Sequence, residues 1–307
     1  MYATTDGSRA AHILRLQVQG SFDASPSSRF REVMQSLVRH LHDFVQDTDL
    51  TIDEWSTAID FCTRSGQTCT EDRQELVLLS DVLGLSMLVE ILAEERGENA
   101  GSTEHTVLGP FHMTVSPPRR LGTTLDVAAR VDSELLLVYG RVSDTTGRAV
   151  AGASVDVWQA DDEGFYDVQR PNEQKPGSGR GVFTTNSTGW FYFGTIAPAP
   201  YPIPGDGPVG ELLDAAGRSP WRPAHVHFQV NAPGKDELTT HIFLAGSPHL
   251  DSDAVFAVRP SLVRTVSGAD VAQFVIDVGD LPAPTLPQAL RVDLTLSTGV
   301  ADPGGAP

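Results

Sequence analysis

The sequence predicts an α+β protein in which an N-terminal helical domain, residues 1–118, precedes a β-sandwich of mixed antiparallel strands, residues 119–307. Apolar residues recur at helical spacing through the first third of the chain. From residue 135 onward, short apolar runs alternate with turns rich in glycine and proline, as in sandwiches and barrels. Two adjacent prolines, Pro117 and Pro118, stand where the helical pattern ends and therefore mark the predicted domain boundary.

Composition limits the classes of function. The chain has 307 residues, of which 40% are hydrophobic and 20% charged, as in a globular protein with a substantial core. Its net charge of -18, with no basic cluster, argues against nucleic acid or an anionic membrane as a partner. The first residues lack a signal-peptide pattern, and no apolar stretch approaches the roughly 18 residues that a membrane span requires, so we expect a cytoplasmic protein. Two cysteines, Cys62 and Cys69, are too few for a disulfide framework.

Three helices are predicted before the boundary. Residues 1–24 are polar, and the apolar residues between Ile13 and Val18 suggest a short strand or arm. Ser25 and Pro26 would begin the first helix, because serine is a good cap and proline is tolerated in the first turn. The apolar residues of this helix are Phe30, Val33, Met34, Leu37, Val38, Leu41, Phe44 and Val45.

The second and third predicted helices follow directly. Thr51 and Glu54 have the spacing of a capping box, which would begin a helix that ends at Gly66. A third helix is predicted from about residue 70 to residue 95, and it has more apolar residues than one buried stripe needs. Two explanations of these extra apolar residues remain open: contact with a partner subunit, or a central position in a monomeric bundle.

The β-domain begins with a strand predicted at residues 135–142, followed by a turn at residues 144–147. Further strands are predicted at residues 154–160, 189–193, 224–230, 238–245 and 290–297. In the strand at residues 224–230, His225 and His227 are two positions apart and therefore point to the same face, with Cα atoms about 7 Å apart. Two histidines on one strand face also occur without a metal, so the identity of nearby side chains is decisive.

Two tyrosines are candidates for those nearby side chains. Tyr166 lies in the turn after the strand that contains Trp158, and Tyr201 is surrounded by prolines in a stiff segment. Each alone is typical of a half-buried amphipathic residue. Together with the two histidines they offer two phenolates and two imidazoles, a set that suits Fe(III) because phenolates are hard anionic donors. Zn(II) and Fe(II) more often bind sets that include cysteine or a carboxylate.

Several segments are similar to the intradiol ring-cleaving dioxygenases. They are DVWQA at 156–160, GFY at 164–166, RPAHVHF at 222–228, LTTHIF at 238–243 and ELVLLSDVLGLSM at 75–87. The resemblance covers nearly the whole chain. It implies one Fe(III) per subunit, with Tyr166, Tyr201, His225 and His227 as the ligands. It also implies a homodimer joined through the N-terminal helices, with a phospholipid-like molecule in an apolar tunnel between the subunits.

The same resemblance implies roles for further residues. Tyr201 would be the ligand that dissociates when substrate binds. Arg222, three residues before the first histidine, would stabilise negative charge on the substrate; a surface arginine paired with a carboxylate is the alternative. His241 would be a donor to substrate or ligand, or else a structural histidine. Residues similar to those that line the substrate ring in the family are Leu78, Asp81, Val107, Leu108, Gly109, Pro110 and Val255.

Within the family, residues 201–210, 240–243 and 250–256 look most like the members that open hydroxyquinol (benzene-1,2,4-triol) to maleylacetate in aromatic catabolism. Asp81 would accept a hydrogen bond from the third hydroxyl group and so reject catechol. Catechol-cleaving members usually have glutamine in place of His241, and cleavage of catechol or a chlorocatechol to a cis,cis-muconate is the nearest alternative. Two other classes remain open: a metal-free β-sandwich carrier, and a zinc hydrolase with Glu163 as general base.

Overall fold

The computed structural model describes residues 5–71, 73–112, 116–125, 127, 133–279 and 286–298, with side chains from residue 9 onward. The internal contacts of the chain divide it into two compact units, Met1–Thr63 and Arg64–Pro307. The boundary near residue 118 describes where helical sequence gives way to strands, and as a domain boundary it stays a prediction.

Seven helices lie in the described part of the chain. They are α1 (Thr5–Gly20), α2 (Ser28–Asp47), α3 (Ile52–Thr68), α4 (Glu75–Val82), α5 (Leu85–Glu95), α6 (Pro208–Ala215) and α7 (Ala269–Val278). Helix α3 begins as predicted, whereas α2 begins at Ser28 and is capped by Ser27 rather than by the predicted Ser25. The Ser27 side chain accepts a hydrogen bond from Phe30 N and caps α2. At the start of α3, Glu54 N donates to Thr51 Oγ1 (3.2 Å) and Thr51 N donates to Glu54 Oε2 (2.9 Å), which confirms the capping box. Gly66 does not end α3, which continues to Thr68.

Two helix predictions were wrong. The predicted strand or arm at residues 13–18 is part of α1, because packing against α2 stabilises a helix that its own pattern did not indicate. Gln19 and Gln35 join the two helices, each side-chain amide donating to the other residue's backbone carbonyl (2.9 and 3.2 Å). The predicted helix at residues 70–95 is two helices, α4 and α5. Gly84, with φ +72, adopts the left-handed conformation that ends α4, and its N–H donates to Asp81 O.

Within the described residues, one bent pair of helices has the length and composition of a membrane span. Among the described residues, no single helix has both the length and the apolar character needed to cross a bilayer. By length and composition alone, α4 and α5 pass this test together, although they are bent by 66° at the break between them.

Eleven strands follow in the described part of the chain. They are β1 (Leu135–Asp144), β2 (Ser154–Gln159), β3 (Arg180–Thr184), β4 (Trp190–Ile196), β5 (Tyr201–Pro202), β6 (Trp221–Arg222), β7 (His225–Asn231), β8 (Leu238–Leu244), β9 (Val263–Arg264), β10 (Gln288–Arg291) and β11 (Leu294–Leu296). The predicted strand at residues 290–297 is two strands that both pair in parallel with β1. Local sequence patterns did not indicate β3, the three two-residue strands β5, β6 and β9, or the helices α6 and α7.

The strands form the predicted sandwich. One sheet has the order β3-β2-β7-β8-β9, and the other places β1 against β4, β10 and β11. The main core lies between these sheets, where Phe191 of β4 and Phe228 of β7 have ring centroids 5.9 Å apart. Helix α7 covers the outer face of the second sheet, with Phe274 packed against Tyr139 and Tyr192. The outer face of the five-stranded sheet carries the candidate site.

Candidate metal centre

The two histidines of β7 point away from the main core, as the alternation predicted. Val226 and Phe228 are buried in the core, whereas His225 and His227 lie on the outer face of the sheet. In the register of the sheet, His227 is opposite Trp158 of β2 on one side and His241 of β8 on the other. The Trp158 ring stacks on the His227 imidazole at 4.6 Å, which holds that ligand candidate in place.

The two tyrosines arrive from separate loops that touch each other. Asp161 Oδ1 accepts hydrogen bonds from Glu163 N and Phe165 N, both 2.9 Å, and so orders the turn before Tyr166. Gly164 in this turn has φ +87, and a Cβ there would lie 2.7 Å from Tyr201 Cβ. Only glycine fits at this position, because the turn lies directly on the second tyrosine.

Four donor atoms converge at one point. Tyr166 Oη lies 3.0 Å from His227 Nε2 and 3.3 Å from Tyr201 Oη. Tyr201 Oη lies 3.5 Å from His225 Nε2, and the two histidine Nε2 atoms are 3.1 Å apart. Since none of the four residues is more than 2% exposed, the structure brings together the four ligand candidates in a dry site.

Without a bound cation, burial keeps the two tyrosine hydroxyl groups protonated and the two imidazoles neutral. It raises the pKa of Tyr166 well above its usual value, with the neighbouring Tyr201 adding to the shift, and it also raises the pKa of Tyr201. Burial lowers the pKa of His225 and of His227 well below the usual value, so both imidazoles are neutral. His225 Nδ1 donates to Pro223 O at 2.7 Å, which leaves the Nε2 lone pair directed at the site.

These residues fit a metal ion. Neutral imidazoles with free Nε2 atoms are ready ligands, and a strong cation would reverse the shift that burial imposes on the tyrosine hydroxyl groups. The ligand atoms of His225, His227 and His241 also lie within 4.8 Å of one another.

Arg222 is buried beside the donor atoms, which excludes the alternative of a surface arginine. Its Nη1 lies 3.4 Å from both Tyr201 Oη and His225 Nε2. Its Nε donates to Asp253 Oδ1 at 3.0 Å, so the guanidinium has a carboxylate partner on the side away from the site. The predicted cationic residue is therefore in reach of charge that develops at the centre.

His241 lies at the same face of the sheet. Its ring centroid is 4.1 Å from that of His227, and its Nδ1 is hydrogen-bonded to the Thr106 hydroxyl. Its Nε2 is buried and has no hydrogen-bond partner among the residues that the structure describes. This free nitrogen is available to a substrate group.

The predicted substrate-lining residues divide into two sets. Leu78 and Pro110 line a cavity of about 380 Å³ together with Phe111, whose ring stacks on Tyr166 at 4.5 Å. A Cβ on Gly109 would lie 3.3 Å from His227 Cε1, so this segment passes close over the site. Val107 and Val255 are buried in the main core, to which Leu78 also belongs, and Leu108 is 38% exposed. The substrate role of all the predicted lining residues stays a prediction.

Asp81 is the most unusual of these residues. It is 1% exposed, and among the described residues no donor has full hydrogen-bond geometry to either carboxylate oxygen. The Ser86 hydroxyl, which contacts Ser80 Oγ at 2.9 Å, is close enough to act on its pKa. Burial raises the pKa of Asp81 to about 6, and the Ser86 hydroxyl and then the charge of Arg222 oppose that shift. A buried acid with spare acceptor capacity is expected where a ligand supplies a further hydrogen bond.

Sequence reasoning missed several supporting residues. It gave no site role to Phe111, to Thr106 or to Asp253, and it treated Trp158 only as part of a strand. A buried arginine requires a carboxylate, which is the signal that could have directed attention to the acidic loop at residues 251–253. Glu163, the base that a zinc hydrolase would need, instead pairs with Arg170 at 2.5 Å.

Comparison with known proteins agrees with this geometry. Residues 27–101 match the family model "Catechol dioxygenase N terminus", and residues 109–281 match the model "Dioxygenase". A 6-chlorohydroxyquinol 1,2-dioxygenase of Cupriavidus pinatubonensis is 51% identical over 252 residues, 82% of this chain and 90% of that protein. A hydroxyquinol 1,2-dioxygenase of Rhizobium sp. is 46% identical over 251 residues, 82% of this chain and 84% of that protein.

A solved structure extends the similarity to the fold. The crystal structure of hydroxyquinol 1,2-dioxygenase from Pseudomonas putida DLL-E4 superposes with a TM-score of 0.81 at 44% identity. The match covers 95% of this chain and 99% of that one. The carrier and zinc-hydrolase alternatives have no such support, and the chain belongs to the intradiol ring-cleavage dioxygenase family.

Proposed function

We propose that this protein is a ferric intradiol dioxygenase that cleaves hydroxyquinol between its two adjacent hydroxylated carbons, giving maleylacetate. The observation that carries the proposal is the convergence of Tyr166, Tyr201, His225 and His227 within 3.0–3.5 Å in a buried site. These four residues are the proposed ligands. The cavity lined by Leu78 and Pro110 gives an aromatic ring room to enter.

The chemistry divides between the ion and the chain. Bound Fe(III) would let both tyrosines ionise, and it would activate a chelated diol toward O2. Tyr201 Oη is the group we assign to accept one substrate proton, since the resemblance to the family implies that Tyr201 dissociates when substrate binds. Arg222 stabilises negative charge on the ring and on the oxygen atoms, and burial of the whole site excludes water that would screen that charge. Both atoms of O2 enter the product, so no external reductant is needed.

Two buried polar groups are proposed to select hydroxyquinol over catechol. The carboxylate of Asp81 would accept a hydrogen bond from the third hydroxyl of hydroxyquinol, and His241 Nε2 would bond to a diol oxygen. The Asp81 carboxylate has spare acceptor capacity, and His241 Nε2 has no partner among the described residues, so a substrate that bonds to both is favoured over one that does not. The similar proteins described above are named as hydroxyquinol or chlorohydroxyquinol dioxygenases, which supports hydroxyquinol over catechol as the substrate.

Replacing Asp81 by asparagine is expected to narrow the ratio of kcat/KM for hydroxyquinol to that for catechol by about 10-fold or more. Asparagine keeps the shape but loses the charged acceptor. Steady-state rates with both substrates at pH 7 measure the ratio, with Asp251→Asn as a matched change on the surface. An unchanged ratio would remove Asp81 from substrate selection.

The same variant is expected to be more stable than the wild type at neutral pH. The pKa of Asp81 is about 6 in the folded protein and lies near 3.8 when unperturbed. Its ionisation therefore costs the fold nothing below about pH 4, and the cost grows to about 2–3 kcal/mol as the pH rises through 6. Calorimetry should show a higher Tm for Asp81→Asn at pH 7 and little difference at pH 4.

The proposed function is tested by visible absorption of the iron-loaded protein. A tyrosinate-to-Fe(III) charge-transfer band is expected, and anaerobic hydroxyquinol should shift it to longer wavelength at a lower concentration than catechol does. Admission of O2 should then convert hydroxyquinol to maleylacetate. A protein that stays colourless after iron is supplied would overturn the ferric site, and a shift at lower catechol concentration would reassign the substrate.

A homodimer joined through the N-terminal helices is proposed on the basis of the first unit. Its helices expose many large apolar side chains, which are Ile13, Leu14, Leu16, Phe30, Val33, Leu37, Leu41, Phe44, Val45, Ile52, Trp55 and Ile59. Leu14 and Val45 also line a cavity of about 220 Å³, which is where we place a phospholipid chain. Light scattering should give twice the chain mass of 32.9 kDa, and mass spectrometry of an organic extract would identify a lipid. A cytoplasmic location is part of the same proposal.

A further inference from the structure

The orientation of Arg222 is decided by one carboxylate. Arg222 Nε donates to Asp253 Oδ1 at 3.0 Å, and Nη2 donates to Oδ2 at 3.4 Å. This two-point pairing fixes the plane of the guanidinium and leaves Nη1 directed at Tyr201 Oη and His225 Nε2. Both side chains are only 2% exposed, so water does not replace either partner.

The same carboxylate organises its own loop. Ala257 N donates to Asp253 Oδ2 at 3.0 Å, and Val255 N approaches Oδ1 at 3.4 Å. Phe256 lies between these two donors with φ +58, a left-handed conformation that residues other than glycine rarely adopt. The loop is therefore wrapped around Asp253, and the carboxylate links it to Arg222.

A second buried acid, Asp81, could compete with Asp253 for the Arg222 guanidinium. Asp81 is buried, it forms no ion pair among the described residues, and the positive charge of Arg222 acts to lower its pKa. A guanidinium released from Asp253 would be drawn toward this second carboxylate and away from Tyr201. Asp253 thus holds Arg222 at the donor atoms while Asp81 stays available to substrate.

We propose that Asp253 is a positioning residue of the ring-cleavage reaction, which acts by holding Arg222 Nη1 against Tyr201 Oη. This inference rests on the proposed function, because it assigns Arg222 to the reaction. A purely structural role for Asp253 would affect stability and every kinetic constant together. A positioning role lowers the rate of the chemical step and leaves iron content and substrate binding nearly unchanged.

The test compares Asp253→Asn with Asp251→Asn, which makes the same change at an exposed position of the same loop. Iron-loaded Asp253→Asn is expected to show kcat about 10- to 100-fold below the wild type. Its iron content and its anaerobic dissociation constant for hydroxyquinol, measured from the visible spectrum, should stay within about threefold of the wild type. Asp251→Asn should match the wild type in all of these measurements.

A double-mutant cycle separates the two explanations. In an Arg222→Ala background, Asp253→Asn is expected to cost no more than about twofold further, because its effect runs through the missing arginine. An equal loss in both backgrounds, or wild-type kcat in Asp253→Asn, would overturn the inference. A wild type that opens no diol would instead overturn the proposed function.

A second variant covers the case in which Asp253→Asn does not fold. Asp253→Glu keeps the charge but displaces the carboxylate by one methylene group relative to Arg222. Its kcat is expected to lie below that of the wild type, and Arg222→Ala should again abolish the difference. A Glu variant with unchanged kcat, or with the same loss in both backgrounds, would also contradict the inference.

Discussion

Replacement of His225 by alanine is expected to give a folded protein that binds no stoichiometric iron and has no dioxygenase activity above background. His225 Nε2 lies 3.1 Å from His227 Nε2, so the change removes one of four converging donors. Loss of one of the four donors weakens the binding of the ion, and we expect the weakened site to lose iron during purification. Metal analysis of the purified protein, with the charge-transfer band as a second readout, measures the effect.

The fold is expected to survive this change. His225 lies on the outer face of the sheet, whereas the residues that fill the main core, such as Val226 and Phe228, are untouched. Circular dichroism and Tm of the apo proteins should therefore remain close to those of the wild type. His40→Ala, an exposed change on α2, is the matched control and should retain full iron. Stoichiometric iron in His225→Ala would show that the ligand set is wrong.

Replacement of Arg222 by alanine is expected to lower kcat by about 100- to 1000-fold. This is the range found when an enzyme loses one preorganised donor to a developing charge. Arg222 Nη1 is the cationic group nearest to Tyr201 Oη and His225 Nε2 among the described contacts, at 3.4 Å from each. Iron content should not change, because Arg222 is not a ligand. Stopped-flow mixing of the anaerobic substrate complex with O2 isolates the affected step.

The Arg222→Ala change is also expected to destabilise the folded protein. The carboxylate of Asp253 would be left buried without its ionic partner, which costs about 3–5 kcal/mol when such a pair is broken. Kinetics should therefore be measured well below the Tm of the variant. Arg148→Ala, at an exposed turn, controls for loss of a positive charge. If Arg222→Ala turned over at the wild-type rate, Arg222 would have no part in the reaction.

Local sequence patterns predicted most of the strands because their causes are local. Alternation of side chains with period two set the faces of β7, and turn residues such as Gly147, with φ +81, marked where β1 ends. The capping box at Thr51 likewise acts within one helical turn. In contrast, α1 was missed because its partner α2 is required to stabilise it, and Gly84 was not recognised as the end of α4.

The sequence by itself determined the ligand candidates, since the two tyrosines and two histidines have a donor chemistry that is independent of the fold. It also nominated Arg222 and Asp81 through resemblance. Only the tertiary structure decided which acid pairs with Arg222, that Trp158 stacks on His227, and that Asp81 is buried without an ion pair among the described residues. These relations join residues from different strands and loops, and such contacts depend on how sheets and loops pack rather than on any local pattern.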